Sequence, residues 1–426
     1  MITGKLVNQL TNKHLTIGLF GFGVVGKGLY DVLNSTPALN ASIKKICVRS
    51  ASKKRNIPAT NFTTNAAALL NDDNINVIVE LIDDADAAFE IVKTALEKGK
   101  AVVSANKKMI ASHFEELLML QREYHTAFLY EAACCASIPI IRNLEEYYDN
   151  DMLTAIKGII NGSTNYILTK IADENLSFKD ALLLAQQLGF AESDPTLDIE
   201  GYDAVNKLTI LSLHSFGALN QPADFIFHGI ASITKQDSIY AKEKKLQLKL
   251  VAQAQRLANG NLAAFVLPQF VAADDDLYTV KNEFNALITE SSFADKQFFK
   301  GKGAGAFPTA AAVLSDIAAL RYGYKYEYKK LRTATDIHLS HDYYLKVYVG
   351  ADDINNIRET EFEWIEEWRN EHHYNVAVGV LYAQKLFANH WWKAPGVSLI
   401  LFNEPIIENI DHRYIRQKSL QLAGIA

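Results

Sequence analysis

Residues 15–34 read LTIGLFGFGVVGKGLYDVLN, and two periodicities meet across one glycine-rich turn. The first six residues are an unbroken apolar run, which predicts a short buried strand. KGLYDVLN has the apolar spacing of a helix. Between them Gly21, Gly23 and Gly26 form G-x-G-x-x-G, with Val24 and Val25 at the helix start. In a strand–turn–helix setting such glycines let backbone approach a pyrophosphate, whose charge the helix amino terminus favours. The stretch therefore predicts a dinucleotide site at Gly21, Gly23, Val24, Val25 and Gly26.

Working outward, a second strand is predicted at 43–48, and it ends in Arg49. A site selective for NAD carries Asp or Glu here to bind the ribose 2′-hydroxyl. Arg49, with Lys53, Lys54 and Arg55 close behind, instead favours a 2′-phosphate, so NADP is the preferred cofactor and NAD the alternative. Read alone, these charges also fit an ordinary surface loop. Strands follow at 76–81, 101–106 and 127–133, separated by the helical segments DDADAAFEIVKTALEKGK and FEELLMLQREYH. Strictly alternating strands and helices imply a Rossmann-type doubly wound parallel sheet, α/β in class, over residues 1–136. Ligands bind such sheets beyond the carboxyl ends of the strands, where Asn106 and Lys107 lie. Lys107 by itself reads equally well as a solvated loop end.

Beyond residue 136 the pattern changes. IPIIRNLEEYYDND reads as a helix leaving the sheet, and the turn Asn161-Gly162-Ser163-Thr164 opens another. GFAESDPTLDIEGYDAVNKL (189–208) then packs Glu192, Asp194, Asp198, Glu200 and Asp203 ahead of Lys207. After Gly201 the spacing is helical, so Asp203 and Lys207, i and i+4, share one face. Alone this is a solvated acidic loop with a helix salt bridge; at a substrate site it would bind an ammonium and move a proton beside it. LQLKLVAQAQRL, NLAAFVLPQFV and NEFNALITE are strand-like, suggesting an α+β substrate and dimerisation domain over 137–302. GKGAGAFPTAAAVLSDIAALRYG (301–323) is a glycine-rich turn opening a long helix, assigned with 303–328 as a return to the nucleotide-binding domain. Residues 329–426 form a small α+β module, with a strand at 342–349 and a polar helix over TEFEWIEEWRNEHH (360–373). His372-His373 and Trp391-Trp392 have no companions at useful spacing and are assigned to packing.

Composition narrows the classes. The 426 residues are 49% hydrophobic and 22% charged, with a formal net charge of −6. With no long basic run, neither nucleic acid nor an anionic membrane is an expected partner. No apolar run reaches the ~18 residues of a membrane helix, and no secretory leader is apparent. Cys47, Cys134 and Cys135 suit a reducing compartment, so a cytoplasmic location is expected.

These motifs, in this order, resemble the homoserine dehydrogenase family over about residues 15–328: GFGVVG, SANKK, EAACCASIPII, NGSTNYIL, the long acidic stretch and GKGAGAFPTAAAV. The resemblance implies interconversion of L-homoserine and L-aspartate 4-semialdehyde with a nicotinamide cofactor, serving threonine and methionine synthesis, and a homodimer or dimer of dimers. It implies that Lys107 and Lys207 poise the hydroxyl proton, directly or through water, with Asp203 orienting the reacting group. Glu192 and Asp198 would bind substrate, with Gly162 and Thr164 bordering the nicotinamide. Gly303 would close over the cofactor, beside Asn106, Lys107, Arg49 and Lys53, which the strand ends and the charge after the second strand already place there. A monovalent cation, Na⁺ or K⁺, would use Glu131 and the carbonyls of Cys134, Ala136 and Ile138. Two departures stand out. A glycine-rich turn is usual where Cys134-Cys135-Ala136-Ser137 stands. In the carboxy-terminal module, loosely compatible with a divergent ACT-like βαββαβ unit, the loop GADDINNI lacks the usual Pro-Gly, so threonine feedback is only weakly implied. Within enzymes the rival is another amino-acid or sugar dehydrogenase of this plan; outside them it is a catalytically impaired nucleotide sensor.

Overall fold

The computed structural model describes residues 14–50, 53–150, 152–333, 337–371 and 374–410. The chain divides into two compact units. The first runs to Asn150 and adds Leu213–Leu219 and Gly301–Thr333; the second holds the remainder.

In the first unit a six-stranded sheet has the order β3-β2-β1-β4-β5-β6. Its strands are β1 (Leu15–Phe20), β2 (Ala41–Cys47), β3 (Phe62–Thr63), β4 (Val77–Glu80), β5 (Ala101–Ser104) and β6 (Phe128–Leu129). Every pairing is parallel. Chain order reverses between β1 and β4, which makes the crevice beyond β1 the ligand position of a doubly wound sheet. Central strands covered on both faces need apolar residues throughout, and β4 is buried at all four positions. The last expected strand, 127–133, is shorter than its apolar run suggested. It stops at Leu129, and Glu131–Ala133 turns as a 3₁₀ helix. The Glu131 carboxylate accepts the backbone N–H groups of Ile141 and Arg142, each at 2.9 Å, at the start of the helix Ile140–Glu146. That tie turns the chain out of the sheet.

The second unit is built on a mixed sheet of ten strands among the described residues, ordered β12-β11-β7-β9-β10-β16-β13-β15-β14 with β8 paired to β10. They are β7 (Leu153–Ile159), β8 (Ile226–Phe227), β9 (Gln247–Arg256), β10 (Leu262–Val271), β11 (Phe284–Ser291), β12 (Asp295–Lys302), β13 (Tyr344–Ala351), β14 (Phe362–Glu371), β15 (Tyr374–Tyr382) and β16 (Val397–Phe402). β10 is buried along its whole length, and its end pairs in parallel with β16 at Gln269–Leu401 and Phe270–Phe402. The carboxy-terminal strands thus continue the sheet that carries β7 to β12. Their order, β16-β13-β15-β14, has a helix at Ala383–Ala388 between β15 and β16. Between β13 and β14 only two 3₁₀ turns stand where a βαββαβ unit has its first helix.

The expected polar helix at 360–373 is instead strand β14. Its glutamates favour helix, but its neighbour β15 is buried at eight of nine positions and needs a partner for its edge. β14 pairs with it antiparallel, with register shifts after Phe362 and Ile365 that bring Ile365 and Trp368 against the core. Pairing overrides propensity here. Trp391 and Trp392 are buried in that same core, as their packing assignment requires. His372 and His373 lie outside the described residues.

Candidate active site

The turn after β1 is shaped by what its glycines exclude. Gly21 has φ +91° and donates its N–H to Cys47 O at 3.0 Å, tying the turn to β2. A side chain on Gly21 would strike Leu81 O, and one on Gly26 would strike Gly21 O. A Cβ on Gly23 would meet nothing within 4 Å, so this position faces open space at the amino terminus of the helix Val24–Asn34. Val24, first in that helix, is 69% exposed. An open approach to unpaired helix N–H groups fits a pyrophosphate.

The strand ends around it carry the other first-unit residues. Arg49 and Lys53 are exposed on the loop after β2. Arg55 donates to the carbonyls of Lys53 and Ser50, each at 2.9 Å, and lies over the Phe62 ring, so this basic loop is internally braced. Asn106 caps the helix Lys107–Ser112 through Met109 N and donates to Ile82 O at 3.1 Å. Lys107 is the first residue of that helix. Gly303 is half-buried in the link between β12 and the helix Ala306–Leu320.

Behind Asn106 stands a group that the sequence reading passed over. Glu80, at the end of β4, is fully buried. It accepts from Ser104 Oγ at 2.5 Å and from Ile82 N at 2.6 Å, while Asn106 N donates to Ser104 Oγ at 3.0 Å. One side chain thus joins the ends of β4 and β5. A lone glutamate closing the apolar run NVIVEL was the signal available. Burial pushes its carboxyl from 4.5 up to about 7. Between those values the folded state binds more protons than the unfolded chain, so this group's contribution to stability falls as pH rises, by up to ~3 kcal/mol. Urea unfolding of Glu80→Gln and native protein at pH 5 and pH 8 checks this. The stability of the variant relative to native should rise by ~2 kcal/mol between the two pH values, and a constant difference would rule it out.

The second unit holds the acidic stretch and its partners. Asp194 accepts from Thr196 N and Oγ1, which starts the short helix Thr196–Ile199. Gly201, at φ +88°, ends the loop, and the helix Tyr202–Phe216 begins. Asp203 and Lys207 are buried on one face of it, with Lys207 Nζ 2.7 Å from Asp203 Oδ2. Lys207 Nζ also donates to Ile160 O at 2.8 Å. The second strand-to-helix turn supplies the link. Asn161 Nδ2 donates to Asp198 Oδ1 at 2.7 Å and to Asp203 Oδ2 at 2.8 Å. Its Oδ1 accepts from Thr164 N at 2.9 Å and Oγ1 at 3.0 Å, capping the helix Gly162–Glu174. Asp198, Asp203, Lys207, Asn161 and Thr164 therefore form one connected polar network. Burial and the Asp203 charge push the Asp198 carboxyl above its usual range, opposed by the Asn161 amide.

Glu192 stands apart from this network. Its side chain is exposed, and its carbonyl accepts from Gln186 Nε2 at 2.9 Å. Lys107 belongs to the first unit and Lys207 to the second. Glu131, Cys134, Ala136 and Ile138 are buried together in the first unit, with Cys135 and Ala136 both in left-handed backbone. Oxygen donors of this kind suit a hard monovalent cation. Both Glu131 oxygens, however, already accept backbone N–H groups, and the Ile138 carbonyl accepts from Ile140 N at 2.8 Å.

A doubly wound sheet with a glycine turn open to a pyrophosphate is the frame of a dinucleotide-binding protein, and a buried lysine–carboxylate network fits the proton handling of a nicotinamide-dependent oxidoreductase. Residues 21–131 match the homoserine dehydrogenase NAD-binding domain and residues 139–318 the homoserine dehydrogenase family. Homoserine dehydrogenase of Bacillus subtilis is 35% identical over 317 residues, which span 72% of this chain and 73% of that one. The enzyme of Synechocystis is 36% identical over 311 residues, 71% of this chain and 72% of its own. The crystal structure of a homoserine dehydrogenase from Thiobacillus denitrificans superposes with a TM-score of 0.81 at 28% identity, covering 92% of this chain and 99% of that one. A hyperthermophilic archaeal homoserine dehydrogenase mutant, in complex with NADPH, has a TM-score of 0.63 at 25% identity over 74% of this chain and all of its own. The chain belongs to the homoserine dehydrogenase family.

Proposed function

We propose that the chain interconverts L-homoserine and L-aspartate 4-semialdehyde, with NADP(H) preferred over NAD(H), on the route to threonine and methionine. The observation that carries this reading is the buried network joining Asn161, Asp198, Asp203 and Lys207. Bound nicotinamide supplies or accepts the hydride. The chain's own residues manage the proton and the substrate's charge. Lys207, held by Asp203 and the Ile160 carbonyl, exchanges the proton of the C4 hydroxyl, with Lys107 as the second amine, directly or through water. Asp203 orients that oxygen. Asp198 and Glu192 take the substrate ammonium, with Gly162 and Thr164 beside the nicotinamide. Gly21, Gly23, Val24, Val25, Gly26, Asn106 and Gly303 border the cofactor.

Arg49 and Lys53, exposed after β2, suit a 2′-phosphate. The NADPH complex of the archaeal relative supports the same choice. Arg49→Ala should raise the KM for NADP⁺ by roughly tenfold and that for NAD⁺ by less than twofold; equal losses would contradict the assignment. For the substrate, 4-hydroxybutyrate keeps the reacting alcohol and lacks the ammonium. Its kcat/KM should lie at least ~10²-fold below that of L-homoserine, and parity would remove Asp198 and Glu192 from substrate recognition. A monovalent cation held by Glu131 and the carbonyls of Cys134, Ala136 and Ile138, assembly as a homodimer or dimer of dimers, and a cytoplasmic location complete the proposal. No helix among the described residues is long and apolar enough to cross a membrane. No observation favours the impaired sensor: both lysines and Asp203 are present.

A further inference from the structure

The acidic stretch is backed by two layers of chain, and the outer one comes from beyond the family match at residues 139–318. The inner layer is the exit of β8. Ile230 N donates to Ile199 O at 2.7 Å. A methyl on Gly229 would overlap Ile199 O, and one on Gly201 would meet His228 O at 3.1 Å. The segments 199–201 and 228–230 are therefore in backbone contact. Tyr202 meets Phe227 edge-on with ring centroids 5.3 Å apart.

The outer layer is the 3₁₀ turn His390–Lys393. Trp392 is buried and anchored by its indole N–H to Leu386 O at 2.9 Å. Its ring stands perpendicular to His228 at 5.7 Å. Burial, with the Lys393 charge behind it, lowers His228 to about 4, so at neutral pH it is an uncharged packing group. Lys393 Nζ lies 4.7 Å from the centre of Phe227 and 5.0 Å from that of Trp392. The Lys393 ammonium is half-buried, and Glu200 is the carboxylate that attracts it. Cations over aromatic faces gain most when partly desolvated. Thus Phe227 lies against both Tyr202 and Lys393, and Lys393 is drawn to Glu200, inside the acidic stretch itself.

We infer that Lys393, seated by Trp392, is a positioning residue for substrate recognition: it braces Ile199–Tyr202 through Phe227, with Glu200 attracting its charge, and so sets where Asp198 presents its carboxylate. This rests on the proposed ammonium role of Asp198. It makes the carboxy-terminal part of the chain a wall of the substrate site.

The test is steady-state kinetics of full-length Lys393→Met, Lys393→Arg and Asp198→Asn, with L-homoserine and cofactor varied separately. Methionine keeps the stem and removes the charge. It should raise the KM for L-homoserine roughly fivefold, with kcat and the cofactor KM within twofold, and arginine should restore the native value. In a double-mutant cycle Glu200→Gln should add nothing to Lys393→Met, because Glu200 acts here only by attracting the Lys393 charge. An unchanged homoserine KM in Lys393→Met, while Asp198→Asn raises it, overturns the inference and spares the ammonium reading. Equal rises in both KM values with a lower melting temperature show general loosening and also overturn it. If Asp198→Asn is itself silent, the ammonium reading falls and the inference with it.

Discussion

Replacing Lys207 by alanine should lower kcat by ~10²-fold or more while the cofactor KM changes little. The geometry gives two reasons. Lys207 Nζ is the cation 2.7 Å from the buried Asp203 carboxylate, so its loss removes the proposed proton-exchanging group and strands a buried charge. The second effect lowers stability as well, so Lys207→Met is the better-packed companion, and a melting curve separates folding from chemistry. The ammonium is also tied to Ile160 O, the carbonyl next to the turn that opens the Gly162–Glu174 helix. The amine is therefore held by two independent elements before substrate arrives. Turnover within threefold of native in a folded Lys207→Ala or Lys207→Met protein would remove Lys207 from proton transfer.

Asn161 should matter almost as much. Its amide joins Asp198 and Asp203, which otherwise repel one another, and its carbonyl oxygen caps a helix. Alanine loses both functions. Aspartate keeps the cap, since aspartate is an equally good N-cap, but sets a third carboxylate between the first two. Each hydrogen bond to a charged group contributes ~1.5–3 kcal/mol, so both variants should lose ~10²-fold in kcat/KM for L-homoserine. Only Asn161→Ala should also lose the ~1 kcal/mol of the cap. If Asn161→Asp retained native kcat/KM, the bridge would be structural alone. A parallel measurement of the cofactor KM, expected to hold within twofold, keeps the loss assigned to the substrate side.

The nucleotide-binding unit was legible because its physics is local. Central parallel strands are unbroken apolar runs, and their helices follow at once. β4, buried at all four positions, and the glycine turn after β1 could be placed to within a residue or two. β14 was misread for the opposite reason. Phe362–Glu371 is rich in glutamate, and only pairing with β15 makes it a strand. That information lies in another segment. The same division runs through the site. Asp203 and Lys207 were visible as an i, i+4 pair, and the structure buries them in contact. Asn161 showed only its short-range role as the first residue of a helix-opening turn. Its bonds to Asp198 and Asp203 span 37 and 42 residues, and no spacing rule reaches that far. Glu80 was hidden by its surroundings, a single carboxyl at the end of an apolar strand, whose partner Ser104 comes from the neighbouring strand.

The most direct measurement is absorbance at 340 nm with L-homoserine and NADP⁺, then NAD⁺, each with and without K⁺, followed by the reverse assay with L-aspartate 4-semialdehyde. The account predicts nucleotide reduction that depends on L-homoserine, with a higher kcat/KM for NADP⁺ than for NAD⁺. Flat traces in both directions from folded, cofactor-binding protein would contradict it.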